Sequence, residues 1–415
     1  MAAGSSRRSR AASRLRGEVL VIGGGMVGLT LASALAGAGL EVILVDRVRP
    51  ESMTDAAFDG RTSAIAYGSQ RMLAGLGLWP RLADAAQAIL EIRVSDHGSW
   101  LFLHYDHRDM GTRPLGYIVE NRDIRRALLA HLATLPAARV IAPARVVAVD
   151  RDERGVEARL EDGRVITAAL AVAADGRGSL TRRAAGIRVT EWSYPQTGIV
   201  CMIAHERPHN GIAHEHFLPA GPFAVLPMTG DRSSLVWTER TALAPAMLAL
   251  DDDDFTAEIA RRFGDSLGRL EVVSRRWSYP LSLMHAERYV ARRLAIIGDA
   301  AHVIHPIAGQ GLNLGLRDVA ALAEVVVDAH RLGLDIAQAP VLERYERWRR
   351  FDNLVVIAAT DGLNRLFSNS LPPVRLARDL GLAAVNRLAP LKRFFMRYAM
   401  GLVGDLPRLL RGEPL

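Results

Sequence analysis

The chain has one cysteine, Cys201, and one lysine, Lys392, in 415 residues. A single thiol excludes an internal disulfide and suits a reducing compartment. No apolar run approaches roughly 18 residues, so no membrane-spanning helix is expected. Cys/His metal spacing is missing: His302 and His305 stand three apart, but the second precedes Pro306, so no metal is expected. There is no nucleophile elbow with Ser/His/Asp partners, no internal repeat and no low-complexity linker, and no catalytic base can be named. What remains is 49% hydrophobic and 23% charged, the balance of an ordinary globular enzyme.

The formal charge of +7 is carried almost wholly by arginine, which reads as coding bias and gives no reason to expect nucleic acid. Its placement is more informative. Residues 1–16 hold Arg7, Arg8, Arg10, Arg14 and Arg16 without an acid. They read as a disordered basic tail, or as an organellar targeting peptide of the same composition. The first reading places the protein in the cytoplasm at the inner membrane surface, the second on the matrix side of a mitochondrion.

At residue 18 the pattern changes to "EVLVIGGGMVGLTLASALAGAGLEVILVD": strand, glycine cluster, small-residue helix, strand. This is a βαβ unit with parallel strands. Residues 61–88 read as helical, 90–118 as strands and 122–135 as an amphipathic helix. Alternation across 139–175 around "EDGR" signals a hairpin, ending in the apolar strand Leu170–Ala174. Strands follow over 190–240 and 270–284, with a helix near 255–264 opened by Asp251–Asp254. A buried strand at "RLAIIGDA" precedes a helix over 311–330, and 341–369 and 374–403 are helical. The fold class is α/β (α+β): a Rossmann-like nucleotide domain (17–89, 119–188 and 291–345), a discontinuous antiparallel-sheet domain (90–118 and 189–290), and a C-terminal helical tail (346–415).

Three motifs carry chemistry. Gly23-x-Gly25-x-x-Gly28 follows a strand and opens a helix, the context a dinucleotide site requires. Gly23 permits the tight turn, Gly25 lets a pyrophosphate approach the backbone, and Gly28 lets helix and strand pack closely. Asp46 ends the next strand and is placed to bond ribose hydroxyls. Asp175-Gly176-Arg177-x-Ser179 follows the apolar strand and also fits plain turn chemistry. Gly298-Asp299 ends a buried strand, where a carboxylate can accept from polyol hydroxyls or cap a turn. The stretch "HPIAGQGLNLGLRD" (305–318) then places three glycines at a helix start, where they are costly unless bare backbone is needed.

The spacing His305-Pro306-x-x-Gly309-Gln310-Gly311-x-Asn313-x-Gly315-x-x-Asp318, with the two earlier motifs and "DGRTSAIAYGSQRML" and "FAVLPM", resembles the flavin-dependent ubiquinone-biosynthesis hydroxylases. These are group A aromatic monooxygenases with the para-hydroxybenzoate hydroxylase fold. The resemblance implies FAD as cofactor and NADPH or NADH as a transient reductant, since there is no second glycine-rich nucleotide motif. It implies that Gly23, Gly25 and Gly28 contact the pyrophosphate, and that Asp46 contacts the adenosine ribose. Arg61 and Arg125 would touch the cofactor, Asp175 would help place it, and Gly298 and Asp299 would hold its ribityl chain. Pro306, Gly309, Gln310, Gly311 and Asn313 would line the isoalloxazine, with the helix dipole favouring its reduced form by up to about 2 kcal/mol.

The implied reaction hydroxylates the ring of a polyprenylated phenol with O₂ through a flavin C4a-hydroperoxide. A reductase acting on an isoprenoid and a non-catalytic FAD-binding component of a quinone-biosynthesis complex are the alternatives. A flavin halogenase needs a lysine near the ring, which this chain lacks. Phe223, Leu226 and Trp237 are expected to line an apolar substrate pocket. The tail, with Arg375, Arg378, Arg387, Lys392, Arg393 and Arg397 among apolar residues, is expected either to lie on an anionic membrane surface or to pack on the main body or on a partner such as another quinone-biosynthesis protein.

Overall fold

Strand Val19–Ile22 is buried on both faces, which suits a parallel sheet sandwiched between two layers. It lies near the centre of a six-stranded sheet ordered Val290–Ala291, Leu294–Ile296, Leu170–Ala173, Val19–Ile22, Val42–Val45, Ala138–Ile141. All pairs but the first are parallel. The computed structural model describes residues 14–55, 57, 59–96, 102–367 and 385–415. The expectations for residues 1–13, and for the part of the helical tail at 368–384 with Arg375 and Arg378, lie outside the described residues.

Alternation along the central strand feeds two cores. Val19 and Val21 pack with the helices Met26–Gly37, Asn121–Leu132 and Gln310–Arg331, whereas Leu20 and Ile22 pack with Ala158, Leu160 and Ile166 of a small second sheet. The "EDGR" hairpin forms half of that second sheet, as Val156–Leu160 against Val165–Ala168. Residues 14–16, expected in the tail, instead form a strand parallel to Val165–Ala168, with Leu15 paired to Ile166. Leu15 has apolar surface to bury beside Val146 and Val149.

The 61–88 expectation is corrected too. Only Tyr67–Gly75 is an α-helix. Thr62–Ala66 is a strand paired with Gly116–Glu120, which also pairs with Gln87–Ile89. Pairing with a distant strand overrides the local pattern, and Thr62 and Ile65 are β-branched.

A large, mainly antiparallel sheet follows the order His302–Val303, Trp277–Ala286, Val189–His205, Arg232–Arg240, Gly221–Met228, Ile212–Leu218, Glu91–Asp96, Phe102–Asp106. One face packs under helix Asp252–Phe263 through Ile199, Cys201, Phe223, Val225, Leu235 and Trp237. Burial there pushes the Cys201 thiol up to about 12, which makes it an inert packing group. The opposite face carries Met202, Ala213, Leu226 and Met228 towards Ala64, Ile118 and Met396.

Candidate functional site

The first glycine loop separates two roles. Gly23 has φ +111, and a Cβ there would sit 2.3 Å from the Ala174 carbonyl oxygen; one on Gly28 would sit 2.0 Å from the Gly23 oxygen. Both glycines are demanded by the fold itself. Gly25 differs: it is exposed, has an ordinary φ of −68, and a Cβ there meets nothing within 4 Å. It caps Met26–Gly37, whose first turn has no side-chain cap and no acid, leaving backbone donors at the helix start. Asp46 bounds the loop. Its carboxylate accepts from Gly24 N at 2.5 Å and from Val48 N at 2.7 Å, and further lone pairs remain for hydroxyl donors.

Asp175 accepts from the Thr181 amide and hydroxyl through one oxygen, at 3.2 and 3.1 Å. Its other oxygen is buried without a partner. Ser179 caps Leu180–Ala184 by accepting from Arg182 N, so that half of the motif is turn chemistry. Gly298 sits at φ +58 against Val27 and donates its N–H to Asp318. This leaves Asp299 exposed between buried Gly298 and Ala300.

Arg61 and Arg125 converge on a residue that sequence reasoning missed. Buried Asp59 accepts from Arg61 Nε at 2.9 Å, from an Arg125 guanidinium nitrogen at 2.6 Å and from Asn121 Nδ2 at 3.1 Å. Burial pushes the Asp59 carboxyl up, but the two arginines prevail and hold it well below the usual carboxylate range. Arg61 also stacks over Tyr279, 4.7 Å from the ring centre, and lies within electrostatic reach of Asp299. The signal was present in the "DGR" of the quoted stretch, where the aspartate precedes the arginine by two.

The 305–318 stretch likewise sorts its glycines. Gly309 is left-handed at φ +60 with Ala64 Cβ 2.8 Å from where its own would be, and Gly315 lets its helix pack against Val27. Gly311 is exposed, and a Cβ there would meet nothing. Pro306 is exposed and Gln310 half-buried at the helix start. Asn313 turns inward: its side chain accepts from Ala66 N and Ser69 Oγ and donates to the Ala64 and Gly309 carbonyls. It pins the loop to strand Thr62–Ala66, so its side chain holds the loop's shape. Asp318 ties the same helix to Gly298, His302, Arg349 and Asn353. His302 is thus bound to a carboxylate, while His305 is buried edge-on against Tyr194 and kept neutral, its imidazole pushed down to about 4 by burial.

Two of the three substrate-pocket expectations fail. Phe223 and Trp237 are fully buried in the core under Asp252–Phe263, their rings tilted against each other and that of Trp237 tilted against Phe255. Leu226, an odd number of residues along the strand from Phe223, faces the opposite side, with Met202, Met228 and Tyr105. A neighbouring cluster joins that face to the glycine loop: Ile307 packs with Leu103, Phe217, Val94 and Tyr105.

These residues fit a flavin dinucleotide. Gly25 and Gly311 offer bare backbone that the fold does not require, and Asp175 keeps a buried acceptor free of protein donors. The family model described as the FAD binding domain matches residues 16–351. The chain is 55% identical over 401 residues to the ubiquinone hydroxylase UbiL of Rhodospirillum rubrum, covering 96% of this chain and 93% of that one. It is 38% identical over 390 residues to the 3-demethoxyubiquinol 3-hydroxylase of Escherichia coli, covering 93% and 98%. Among solved structures, p-nitrophenol 4-monooxygenase PnpA of Pseudomonas putida shares the fold at TM-score 0.78 and 19% identity, covering 95% of this chain and all of that one. The chain belongs to the FAD-dependent ubiquinone hydroxylase family of aromatic monooxygenases.

Proposed function

We propose that this protein hydroxylates the aromatic ring of a polyprenylated phenol in ubiquinone biosynthesis, with NAD(P)H and O₂. The observation that carries the reading is the shared cluster of Ile307, in the glycine loop, with Leu103 and Phe217 of the large sheet. It sets the loop that would lie against the flavin ring directly over an apolar sheet face. FAD, when bound, would supply the redox chemistry: two electrons come from NAD(P)H, one oxygen atom of O₂ enters the substrate ring and the other leaves as water.

The chain's own residues hold, orient and exclude. Gly23 and Gly28 shape the first turn, while Gly25 and the helix start behind it would hold the pyrophosphate. Asp46 and Asp299 would accept from ribose and ribityl hydroxyls. Asp59 fixes Arg61 and Arg125, which would stand at the cofactor's edge, and Asn313 holds the Pro306–Gly311 backbone that would lie against it. Met202, Leu226, Met228 and Ile307 exclude water where the prenylated ring would sit.

The same reading accounts for an inverted helix surface. Along Ala339–Phe367, the exposed side after residue 350 carries Phe351 (74% exposed), Leu354, Val355 and Leu363, while Asn353, Thr360 and Asn364 are buried. Helix Ala389–Ala399 exposes Leu391, Phe394 and Phe395 beside Arg393 and Arg397. Apolar side chains among cations suit an anionic bilayer, which is where a polyprenylated substrate resides. These helix faces support the proposal that the protein works at an anionic membrane surface. Deleting the gene and identifying the quinone precursor that accumulates tests the pathway: a prenylated ring lacking one hydroxyl supports it, and an unchanged quinone pool contradicts it.

A further inference from the structure

Strand Ile212–Leu218 alternates between two faces. His214 and His216 pack on Phe263, on the side covered by helix Asp252–Phe263. Ala213, Glu215 and Phe217 therefore point the other way, towards the cluster that contains Ile307. In register, Glu215 lies opposite Ala224 on one side and Val94 on the other, and Val94 lies opposite Leu103. An acid has been placed in the middle of the apolar face that underlies the glycine loop. Among the described residues its carboxylate has no ion pair and no hydrogen-bond partner. By register, Tyr105 lies in the strand row of Ala213, two residues before Glu215, and Asp96 lies opposite Phe217, two residues after it.

Such a group is expensive. Glu215 is half-buried, and partial desolvation without a compensating cation pushes its carboxyl up to about 7. A leucine or valine here would pack with its neighbours at no desolvation cost. Glu215 is half-buried among apolar neighbours, and its unpaired carboxylate is not among the fully buried polar atoms, so it stays open to a ligand that settles on this face.

We propose that Glu215 accepts a hydrogen bond from the ring hydroxyl of the phenolic substrate, and so sets which ring edge is presented to the Pro306–Asn313 loop. This rests on the hydroxylase reading and adds a specificity-determining contact to it. The hydroxyl donates and a carboxylate oxygen accepts. Where the proton crosses, the O–H bonding pair stays on the phenol oxygen, the proton ends on Glu215, and no electron is exchanged between the two groups. In either form electron density moves into the ring, raising the reactivity of the carbons ortho and para to the hydroxyl. An O-methylated ring has no proton to offer and would leave the carboxylate unpaired, which penalises its binding.

The test uses the full chain loaded with FAD, a short-chain prenylated phenol and its O-methyl ether as probes, and product formed per NAD(P)H oxidised as the readout. Glu215→Leu is expected to retain FAD and NAD(P)H oxidation while its yield on the phenol falls about tenfold, and to lose the wild-type preference for phenol over ether. The isosteric Glu215→Gln keeps an acceptor oxygen and is expected to retain most of the yield. Unchanged yield in Glu215→Leu, a loss in Glu215→Gln equal to that in Glu215→Leu, or colourless preparations of both variants would each overturn the assignment. A wild-type protein that hydroxylates no phenol would instead refute the hydroxylase reading, and this assignment with it.

Discussion

The Asp318 carboxylate accepts the Gly298 N–H at 3.0 Å, so the helix that follows the second glycine loop also fixes the turn that presents Asp299. Two segments that would touch opposite parts of one cofactor are thereby held to a common buried charge. The same carboxylate accepts from His302 Nε2 at 2.5 Å, Arg349 Nε at 2.9 Å and Asn353 Nδ2 at 3.2 Å.

Replacing Asp318 by leucine deprives buried Arg349 of a principal partner and should destabilise the fold by about 3–5 kcal/mol in urea unfolding. Burial opposes ionisation of Asp318, yet His302 and Arg349 hold its carboxyl down at about 2, against an ordinary 3.8. A depressed folded-state value contributes stability above the ordinary value and loses it as pH falls towards 2. Wild-type unfolding free energy should therefore drop between about pH 4 and 2, and Asp318→Asn should flatten that part of the curve.

The glycines give a sharper separation. Gly25→Ala and Gly311→Ala place a methyl group in open space at ordinary backbone angles. Each should leave the melting of the apoprotein within about 1 kcal/mol of wild type. Each should also weaken FAD binding, read by quenching of flavin fluorescence, by tenfold or more on the order of one lost phosphate or ring contact. Gly28→Ala puts a Cβ 2.0 Å from the Gly23 oxygen and should damage the fold before any ligand is added.

Asp59 and Arg61 should come apart in the same assays. Arg61 is half-exposed, so Arg61→Ala should change stability by no more than about 1 kcal/mol while lowering FAD affinity. Asp59→Ala removes the buried acceptor shared by Arg61, Arg125 and Asn121 and should lose both, with a stability cost of about 3 kcal/mol.

On the large sheet, Trp237→Ala should cost about 3–5 kcal/mol of stability, because the ring is fully buried, and leave substrate preference alone in what folds. Leu226→Ala lies on the other face and only partly buried. It should cost less stability but raise the KM for a prenylated phenol, measured against an unprenylated analogue.

For the membrane, Phe351→Asp and Phe394→Asp introduce charge on exposed positions and should leave folding intact. Each should reduce sedimentation with vesicles containing anionic lipid. Undiminished binding would point instead to a protein partner on these helices.

The glycine motifs and the βαβ unit were legible because their constraints are local: a turn at positive φ, a Cβ that cannot fit, strands buried on both faces. Asp46, Asp175 and Asp299 stand at strand ends, where sequence position alone implies a role. Asp59 and Asp318 were harder, since apart from Arg61 the partners that give them value lie 16 to 66 residues away. Phe223 and Trp237 misled because alternation identifies two faces of a strand without saying which is roofed by a helix. The same ambiguity concealed Glu215, which sits in a stretch, "AHEHFLPAG", that reads as ordinary strand. Thr62–Ala66 was mistaken for helix because its partner, Gly116–Glu120, lies some fifty residues on.

The measurement that bears most directly on the central claim is isotopic. The FAD-loaded protein is given NAD(P)H, a prenylated phenol and dioxygen enriched in the heavy isotope, and the product is weighed by mass spectrometry. The account expects one hydroxyl added to the ring, its oxygen drawn from dioxygen, and no product in the absence of oxygen. A product formed anaerobically, or one whose new oxygen comes from water, would contradict it.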